Sequence, residues 1–275
     1  MPARLNHNVN LKQVHHNMRI HFDNTGSQIE KAASGRRINR SSDDPAGLAL
    51  ADGIKSEIMA LTEGSRNVQQ SIQMLQVAEG ALGQISAIVQ RLQGLSAQSA
   101  SSTYTDADRP GINSEFQALK NEIERIAEVT SYNRIKLLDS VREFTIQVGP
   151  AGDSNDVSRI VIGDMRTSGP TLNIDLVAID TALNARNALD QLQEVELKVL
   201  DERNRIAAFQ NRLQLSATTT ANIVEKMQSS ESDIRDADMA QTLSNLSRSQ
   251  IMAQTASSLA QEADIDIERI LTLMQ

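Results

Sequence analysis

One long apolar stripe runs between Leu48 and Gln98, in the sequence LALADGIKSEIMALTEGSRNVQQSIQMLQVAEGALGQISAIVQRLQGLSAQ. Its apolar side chains recur mostly at steps of 3 and 4, the period of a helix that buries one face against other helices. No proline falls between Pro45 and Pro110. At about 1.5 Å per residue, a helix of roughly 50 residues would be about 75 Å long. Such a rod needs partners of similar length, because an isolated stripe is not stable in water.

The composition limits the fold and the function. Only 2% of the 275 residues are aromatic and none is Trp, so the core must be aliphatic, which suits helical layers. The net charge of −8 argues against a nucleic-acid partner. The absence of Cys excludes disulfides and thiolate metal sites. No run of 18 consecutive apolar residues occurs, so the sequence predicts no membrane-spanning segment.

The N-terminal part predicts a weak amphipathic helix over residues 4–33, followed by a polar connector over residues 34–44. Asp44 followed by Pro45 is a strong helix start, since the carboxylate caps the first turn and proline fits the first helical position. The four histidines, which precede the connector, have no carboxylate at ligand spacing, and we expect no metal site. They are His7, His15, His16 and His21.

The middle of the chain predicts a returning helix and a hairpin. Apolar residues at steps of 3 and 4 continue from Ile112 to Ile126, and the short preceding loop makes this helix antiparallel to the first. Two β-prone runs then flank a Gly/Pro/Asp/Ser cluster, which predicts a β-hairpin near residues 143–163.

The C-terminal half mirrors the N-terminal half. A helical seam of about 50 residues begins at Ile179, the polar cluster from Gln228 to Asp238 interrupts it, and a last apolar segment follows. We therefore predict a mainly α fold, a long antiparallel helical bundle or coiled coil with a small β-hairpin region and paired N- and C-terminal helices. Residues 1–40 and 235–275 would be the terminal segments, and residues 41–234 the bundle.

Six motifs stand in order along the chain: ASGRRINRSSDDPAG at 33–47 (compare SSGxRINxAxDDAAG), QRLQGLSAQS at 90–99 (QRxxELAVQS), SYNRIKLL at 131–138 (xxFNGxxLL), QNRL at 210–213, DIRDADMA at 233–240 (RIxDxDxA) and LSRSQIMAQ at 246–254 (MSRxQILQQ). They resemble the motifs of bacterial flagellin, which are given in parentheses. Arg134 stands where the third motif has Gly, and Gly94 stands where the second has an acidic residue. Together these motifs span nearly the whole chain.

The resemblance implies a structural subunit that self-assembles into the extracellular flagellar filament used for swimming. The termini would form the inner core of the filament. Large outer domains would be absent, because only Gly169 to Ile179 stands at their usual place. Implied partners are further copies of the chain, an export chaperone on the C-terminal segment, the filament cap and the hook–filament junction proteins. The side chains expected to mediate self-assembly are Val14, Met18, Phe22, Leu243, Leu246, Ile267 and Ile270.

The resemblance also implies recognition by the host Toll-like receptor for flagellin. Carried over by motif, the contact positions are Arg91, Leu95 and Glu115, with Gly94 at the acidic position. An arginine fork beside an apolar anchor is a combination that commonly dominates interfaces. The alternative is that Arg91 and Glu115 contact neighbouring subunits of the filament.

Two other function classes compete with a filament subunit. A hook–filament junction protein shares terminal helices with flagellin, and a cytoplasmic coiled-coil adaptor would explain the periodicity but not the ordered motifs. An enzyme is not expected, since the chain has no metalloprotease, phosphate-loop or nucleophile-elbow motif. We therefore predict no catalytic, cofactor-binding or metal-binding residue. The pair Asp43–Asp44 is interpreted as helix capping.

Overall fold

The computed structural model describes the backbone of residues 9–273 and the side chains of residues 12–262. In chain order its elements are α1 (Val9–Ser34), α2 (Pro45–Ala100), α3 (Arg109–Val129), β1 (Ser131–Tyr132), β2 (Ile135–Lys136), β3 (Arg142–Gln147), β4 (Val157–Ile162), α4 (Ala182–Arg235) and α5 (Met239–Leu273). They divide into a terminal unit, Met1–Ser56 with Lys226–Gln275, and a central unit, Glu57–Glu225. The predicted mainly α fold is confirmed.

The long helix α2 begins where the sequence predicts. The Asp44 carboxylate accepts a hydrogen bond from the Gly47 amide at 2.9 Å, and so satisfies one of the amides that a helix start leaves free. Pro45 occupies the first helical position, where its missing amide costs nothing. The resulting helix α2 is 56 residues long.

Three helices form the core of the central unit. Arg91 of α2 donates to Glu115 near the start of α3, and Tyr132, which follows the end of α3, donates to Gln73 earlier in α2. The two helices therefore run antiparallel. Likewise Gln93 of α2 binds Glu196 of α4, and Glu79 binds Gln210. The helices bury an aliphatic layer with a single fully buried aromatic ring; its largest members include Leu75, Leu82, Ile85, Leu92, Phe116 and Ile123.

Two antiparallel hairpins complete the central unit. Strand β3 pairs with β4 in the register Arg142↔Ile162 to Gln147↔Val157, which confirms the predicted hairpin. The smaller pair β1–β2 closes through Asn133 and Arg134, both with positive φ (47° and 65°). Two consecutive positive φ values are typical of a type I′ turn, the tight turn whose twist matches paired strands.

The terminal unit pairs α1 with α5. The two connectors that precede α2 and α5 pair with each other, since Arg37 donates its amide to the Arg235 carbonyl at 2.7 Å and Ala237 donates to Gly35 at 2.9 Å. Arg235 also donates to Asp52 at 3.1 Å. The predicted pairing of the terminal helices is confirmed.

One boundary differs from the prediction. The polar cluster from Gln228 does not end the helix, since α4 continues to Arg235 and only residues 236–238 separate it from α5. Residues 228–235 include neither Gly nor Pro, and Gln228, Glu231 and Arg235 are good helix formers, so polarity alone does not end the helix.

Candidate assembly surface

Small residues form the contact of α5 with the rest of the terminal unit. The side chains of α5 that are buried among the described residues are Thr242, Ala253, Ala256 and Ala260. The three alanines recur at steps of 3 and 4, so they lie on one face of the helix. A seam of this kind lets two backbones approach closely, but it removes little apolar area from water.

Large apolar side chains of α1, of α5 and of the start of α2 are exposed to solvent. Phe22 of α1 is 54% exposed, and Leu243 of α5 is 49% exposed. Further exposed apolar residues of this unit are Ile20, Ile29, Leu50, Met239, Ile251, Met252 and Leu259. Exposed apolar side chains in this number favour association with another molecule, although Ile20 and Phe22 lie on different sides of α1. We call this set, with Phe22 and Leu243, the outer apolar face.

The side chains predicted to mediate self-assembly fall into three groups. Phe22 and Leu243 belong to the outer apolar face, whereas Val14, Met18 and Leu246 are half-buried. The side chains of Ile267 and Ile270 lie outside the described residues. Sequence reasoning missed Ile251, Met252 and Leu259, because it followed one stripe of α5 at steps of 3, 4 and 7, and these residues lie outside that stripe. The repeat of alanines at 253, 256 and 260 was the signal that could have located the seam.

A shallow groove runs between α1 and α5 in the same unit. Phe22 and Thr25 form one wall, and Ala253, Gln254 and Ser257 form much of the other. Its mixed lining of an aromatic ring, an alanine and amide or hydroxyl groups suits the side chains of another helix.

Charged residues fix the connector that precedes α2. Arg40 forms a two-pronged pair with Glu30, at 2.9 and 2.8 Å. The Asp43 carboxylate accepts the amides of Asn39 and Arg40, each at 3.1 Å. The amides of Arg40 and Asn39 hold the pKa of Asp43 below its ordinary value, with smaller contributions from the charges of Lys31 and Arg40. The interpretation of this segment as an ion-paired connector agrees with these contacts.

The positions matched to the host-receptor motif lie in the central unit. Arg91 donates to Glu115 at 2.6 and 3.1 Å, so the two form a surface pair, and both side chains are about half exposed. Leu95 is only 2% exposed and packs in the helical core, so the expected apolar anchor is not available at this surface. A Cβ added at the exposed Gly94 would meet no other atom within 4 Å.

The described residues hold no cluster of three or more His, Asp or Glu side chains arranged to bind a metal ion. Of the three described histidines, His15 and His16 are exposed and His21 is half-buried. Within the same part of the chain, no helix combines the length and apolar character needed to cross a membrane.

Comparison with known proteins identifies the family. Residues 5–143 match the family described as the bacterial flagellin N-terminal helical region, and residues 179–274 match the bacterial flagellin C-terminal helical region. The chain belongs to the bacterial flagellin family. A flagellin of Halalkalibacterium halodurans is 35% identical over 98% of this chain and 99% of its own length. A flagellar filament 30.7 kDa core protein of Treponema maltophilum is 30% identical over 98% and 99%.

A solved structure has a similar fold. A structure described as a flagellar hook-associated protein from Vibrio parahaemolyticus superposes with a TM-score of 0.59, covering 70% of this chain and 100% of that one. Its identity of 15% shows a shared fold alone. It therefore does not favour a hook-associated role over that of a flagellin.

Proposed function

We propose that this flagellin is a structural subunit that polymerises into the extracellular flagellar filament used for swimming, and that the outer apolar face is its main assembly surface. The observation that carries the proposal is that the terminal unit buries small side chains of α5 and exposes large apolar ones. Alanines fill the seam of α5, while Phe22, Leu243 and Leu259 face outward. The terminal segments, residues 1–40 and 235–275, would form the inner core of the filament.

The energetics favour assembly through this face. Burying a Leu, Ile, Met or Phe side chain gains about 1.5–3 kcal/mol relative to leaving it in water. The outer apolar face offers nine such side chains in every copy (Phe22, Leu243, Ile20, Ile29, Leu50, Met239, Ile251, Met252 and Leu259). A contact between different surfaces of identical copies can repeat without closing, and it then grows a helical filament.

Two alternatives make different predictions. A hook–filament junction protein would end growth, and a coiled-coil adaptor would stop at a small oligomer, whereas a filament subunit grows without a fixed limit. Family membership favours the filament subunit. Since flagellins are structural proteins, the chain is not expected to be an enzyme.

A charge placed in the outer apolar face tests the proposal. We expect Leu243→Asp to prevent filament growth by the full-length chain, because a carboxylate buried without a partner costs several kcal/mol in every repeated contact. Leu215→Asp is the matched control, since Leu215 is 70% exposed but lies in the central unit. Sedimentation and electron microscopy after salting out would measure growth. Normal filaments from Leu243→Asp would refute the assignment of this face.

Further partners belong to the same proposal. The C-terminal segment, residues 235–275, would be held by an export chaperone until it leaves the cell, because its apolar side chains would otherwise associate. The filament cap and the hook–filament junction proteins would contact the same terminal segments at the two ends of the polymer.

Recognition by the host Toll-like receptor is proposed for the Arg91–Glu115 pair, without Leu95. Compared with an acidic residue at this position, Gly94 lacks a negative charge and weakens the helix by up to about 1 kcal/mol. We expect Gly94→Glu to tighten monomer binding to the receptor and Arg91→Ala to weaken it. Unchanged affinity in both variants would leave contact between neighbouring subunits as the role of this pair.

A further inference from the structure

A ladder of polar side chains on α3 holds the loop that follows β4. Asn113, Gln117, Lys120 and Glu124 recur at steps of 4, 3 and 4, so they lie on one face of the helix. Each of them binds the backbone of residues 167–179. The Asn113 oxygen accepts the Ile179 amide at 3.0 Å. At the other end, the Glu124 carboxylate accepts the Thr167 amide at 2.6 Å.

Lys120 fixes the tip of this loop. Its side chain is 4% exposed, and its ammonium group donates to the carbonyls of Asp175 and Val177 and to the Gln117 side chain. Gln117 also donates to the Val177 carbonyl, at 3.1 Å. The backbone is therefore clamped on both sides of Leu176. A buried lysine is uncommon unless its donors are satisfied, as they are here.

The clamp holds one leucine in solvent. Leu172 and Ile174 of the same loop are buried, whereas Leu176 is 95% exposed. The preceding residue, Asp175, is also exposed, so an apolar knob stands beside a negative charge. An anchor that is already rigid loses little conformational entropy on binding, which favours tight association. We call Asp175 and Leu176 the acidic knob.

A complementary surface lies at the C-terminal end of α3 in the same unit. The turn between β1 and β2 exposes Arg134, and the next residue, Ile135, is 43% exposed. Val129, which ends α3, is 57% exposed. Among the described residues, neither Arg134 nor Asp175 takes part in an ion pair. We call Arg134 and Ile135 the basic turn.

The acidic knob and the basic turn lie too far apart to contact each other within one copy. The knob lies beside Gln117 and Lys120 of α3, whereas the turn follows the end of that helix at Val129. Ten residues of helix correspond to about 15 Å. A second copy can join them, because a helical polymer requires contacts between different surfaces of the same chain. Opposite charges also guide encounter between copies that each carry a net charge of −8.

We propose that the acidic knob of one copy docks on the basic turn of the next copy, with Leu176 against Ile135 and Asp175 beside Arg134. This contact lies in the central unit and adds to the outer apolar face. The proposal rests on the proposed function, since it specifies a second contact of the same polymer.

A charge exchange tests the contact. The critical concentration for polymerisation of the full-length chain would be measured for the wild type, Asp175→Arg, Arg134→Asp and the double variant. We expect each single variant to raise the critical concentration about tenfold, which corresponds to one good charge pair lost. The double variant restores the pair in reverse, and we expect it to polymerise within about threefold of the wild type.

Controls separate this contact from other causes. Aspartate suits positive φ, so Arg134→Asp preserves the turn, and melting of the monomers checks the fold of each variant. Asp153→Arg makes the same charge change at an exposed site in the β3–β4 loop, and it should leave the critical concentration within twofold.

Each result has one meaning. If single variants polymerise like the wild type, or if the double variant is no better than either single variant, the docking proposal is wrong while the proposed function stands. A wild type that forms no filaments under any of these conditions overturns the proposed function itself.

Discussion

Gly64 gives the sharpest test of how the β3–β4 hairpin is held. Gly64 lies in α2 of the central unit, where the chain just after β3 crosses it closely. A Cβ built on Gly64 would lie 2.8 Å from the carbonyl carbon of Val148 and closer still to its oxygen. Asn67, one turn further along α2, donates to the Gln147 carbonyl at 3.1 Å. The hairpin is thus positioned by a contact that only glycine permits.

The substitution Gly64→Ala has one stabilising effect and two destabilising effects. Alanine favours a helix interior by about 1 kcal/mol relative to glycine. The added methyl group must displace backbone rather than a flexible side chain, and overpacking of this kind costs about 1–3 kcal/mol. Loss of the Asn67 hydrogen bond adds about 1 kcal/mol. We therefore expect a net destabilisation of about 1–3 kcal/mol.

Two glycines of the same helix provide matched controls. A Cβ on Gly80 or Gly83 would meet no other atom within 4 Å. Each alanine variant should therefore gain most of the helix preference and stabilise the unit by about 0.5–1 kcal/mol. Stability changes of opposite sign at positions of the same helix would distinguish the effect of the hairpin contact from the effect of helix propensity.

Thermal unfolding of the full-length monomer, followed by circular dichroism, measures these effects. For a unit of this size, 1 kcal/mol corresponds to about 2–4 °C in Tm. We expect Gly64→Ala to lower Tm by about 2–12 °C, and Gly80→Ala and Gly83→Ala to raise it. A rise in Tm for Gly64→Ala, equal to that of the controls, would show that the Val148 backbone does not restrict this position.

Two further predictions concern strain and acid stability. Arg134→Gly should raise the free energy of unfolding of the monomer by up to about 1 kcal/mol, because Arg134 occupies a positive φ that glycine adopts freely. Urea unfolding would detect this as a higher midpoint concentration, and an unchanged midpoint would show that the turn holds no strain. Asp164 is 2% exposed, and although burial raises its pKa, hydrogen bonds and the charge of Arg166 outweigh burial and place that pKa below its ordinary value. Its contribution to stability is therefore full above the unfolded pKa, about 3.9, and is lost as pH falls through the lower folded pKa. Asp164→Asn should flatten the loss of Tm between roughly pH 5 and pH 2, and a slope equal to that of the wild type would contradict this.

Periodicity predicted the long elements because their packing is repetitive. Steps of 3 and 4 located α2 and α3, and the Asp44–Pro45 pair located the start of α2, since capping is a local interaction. The helix α4 ends later than the polar residues from Gln228 indicate, because polarity by itself does not stop a helix. Arg235, at the true end, instead contacts Asp52 about 180 residues away in the chain.

The candidate site was harder to predict from the sequence. Large apolar residues were expected to mediate self-assembly, and of these Phe22 and Leu243 are exposed, whereas alanines form the buried seam of α5. Periodicity alone did not separate the residues that pack within one copy from those free to contact another copy. Leu95 failed as a surface anchor because the same period that makes a helix amphipathic placed it in the core. The Lys120 clamp gave no sequence signal, since it binds backbone carbonyls that any residue could supply.

The outer apolar face should become buried on assembly, and a single labelling measurement can detect this change. Since the chain has no Cys, Leu259→Cys places a single thiol on this face of α5. We predict rapid modification of this thiol in the monomer and modification slower by about tenfold or more in the filament, because Leu259 is 56% exposed in the free chain and would be enclosed by neighbours. Equal modification rates in monomer and filament would show that this face is not buried between subunits.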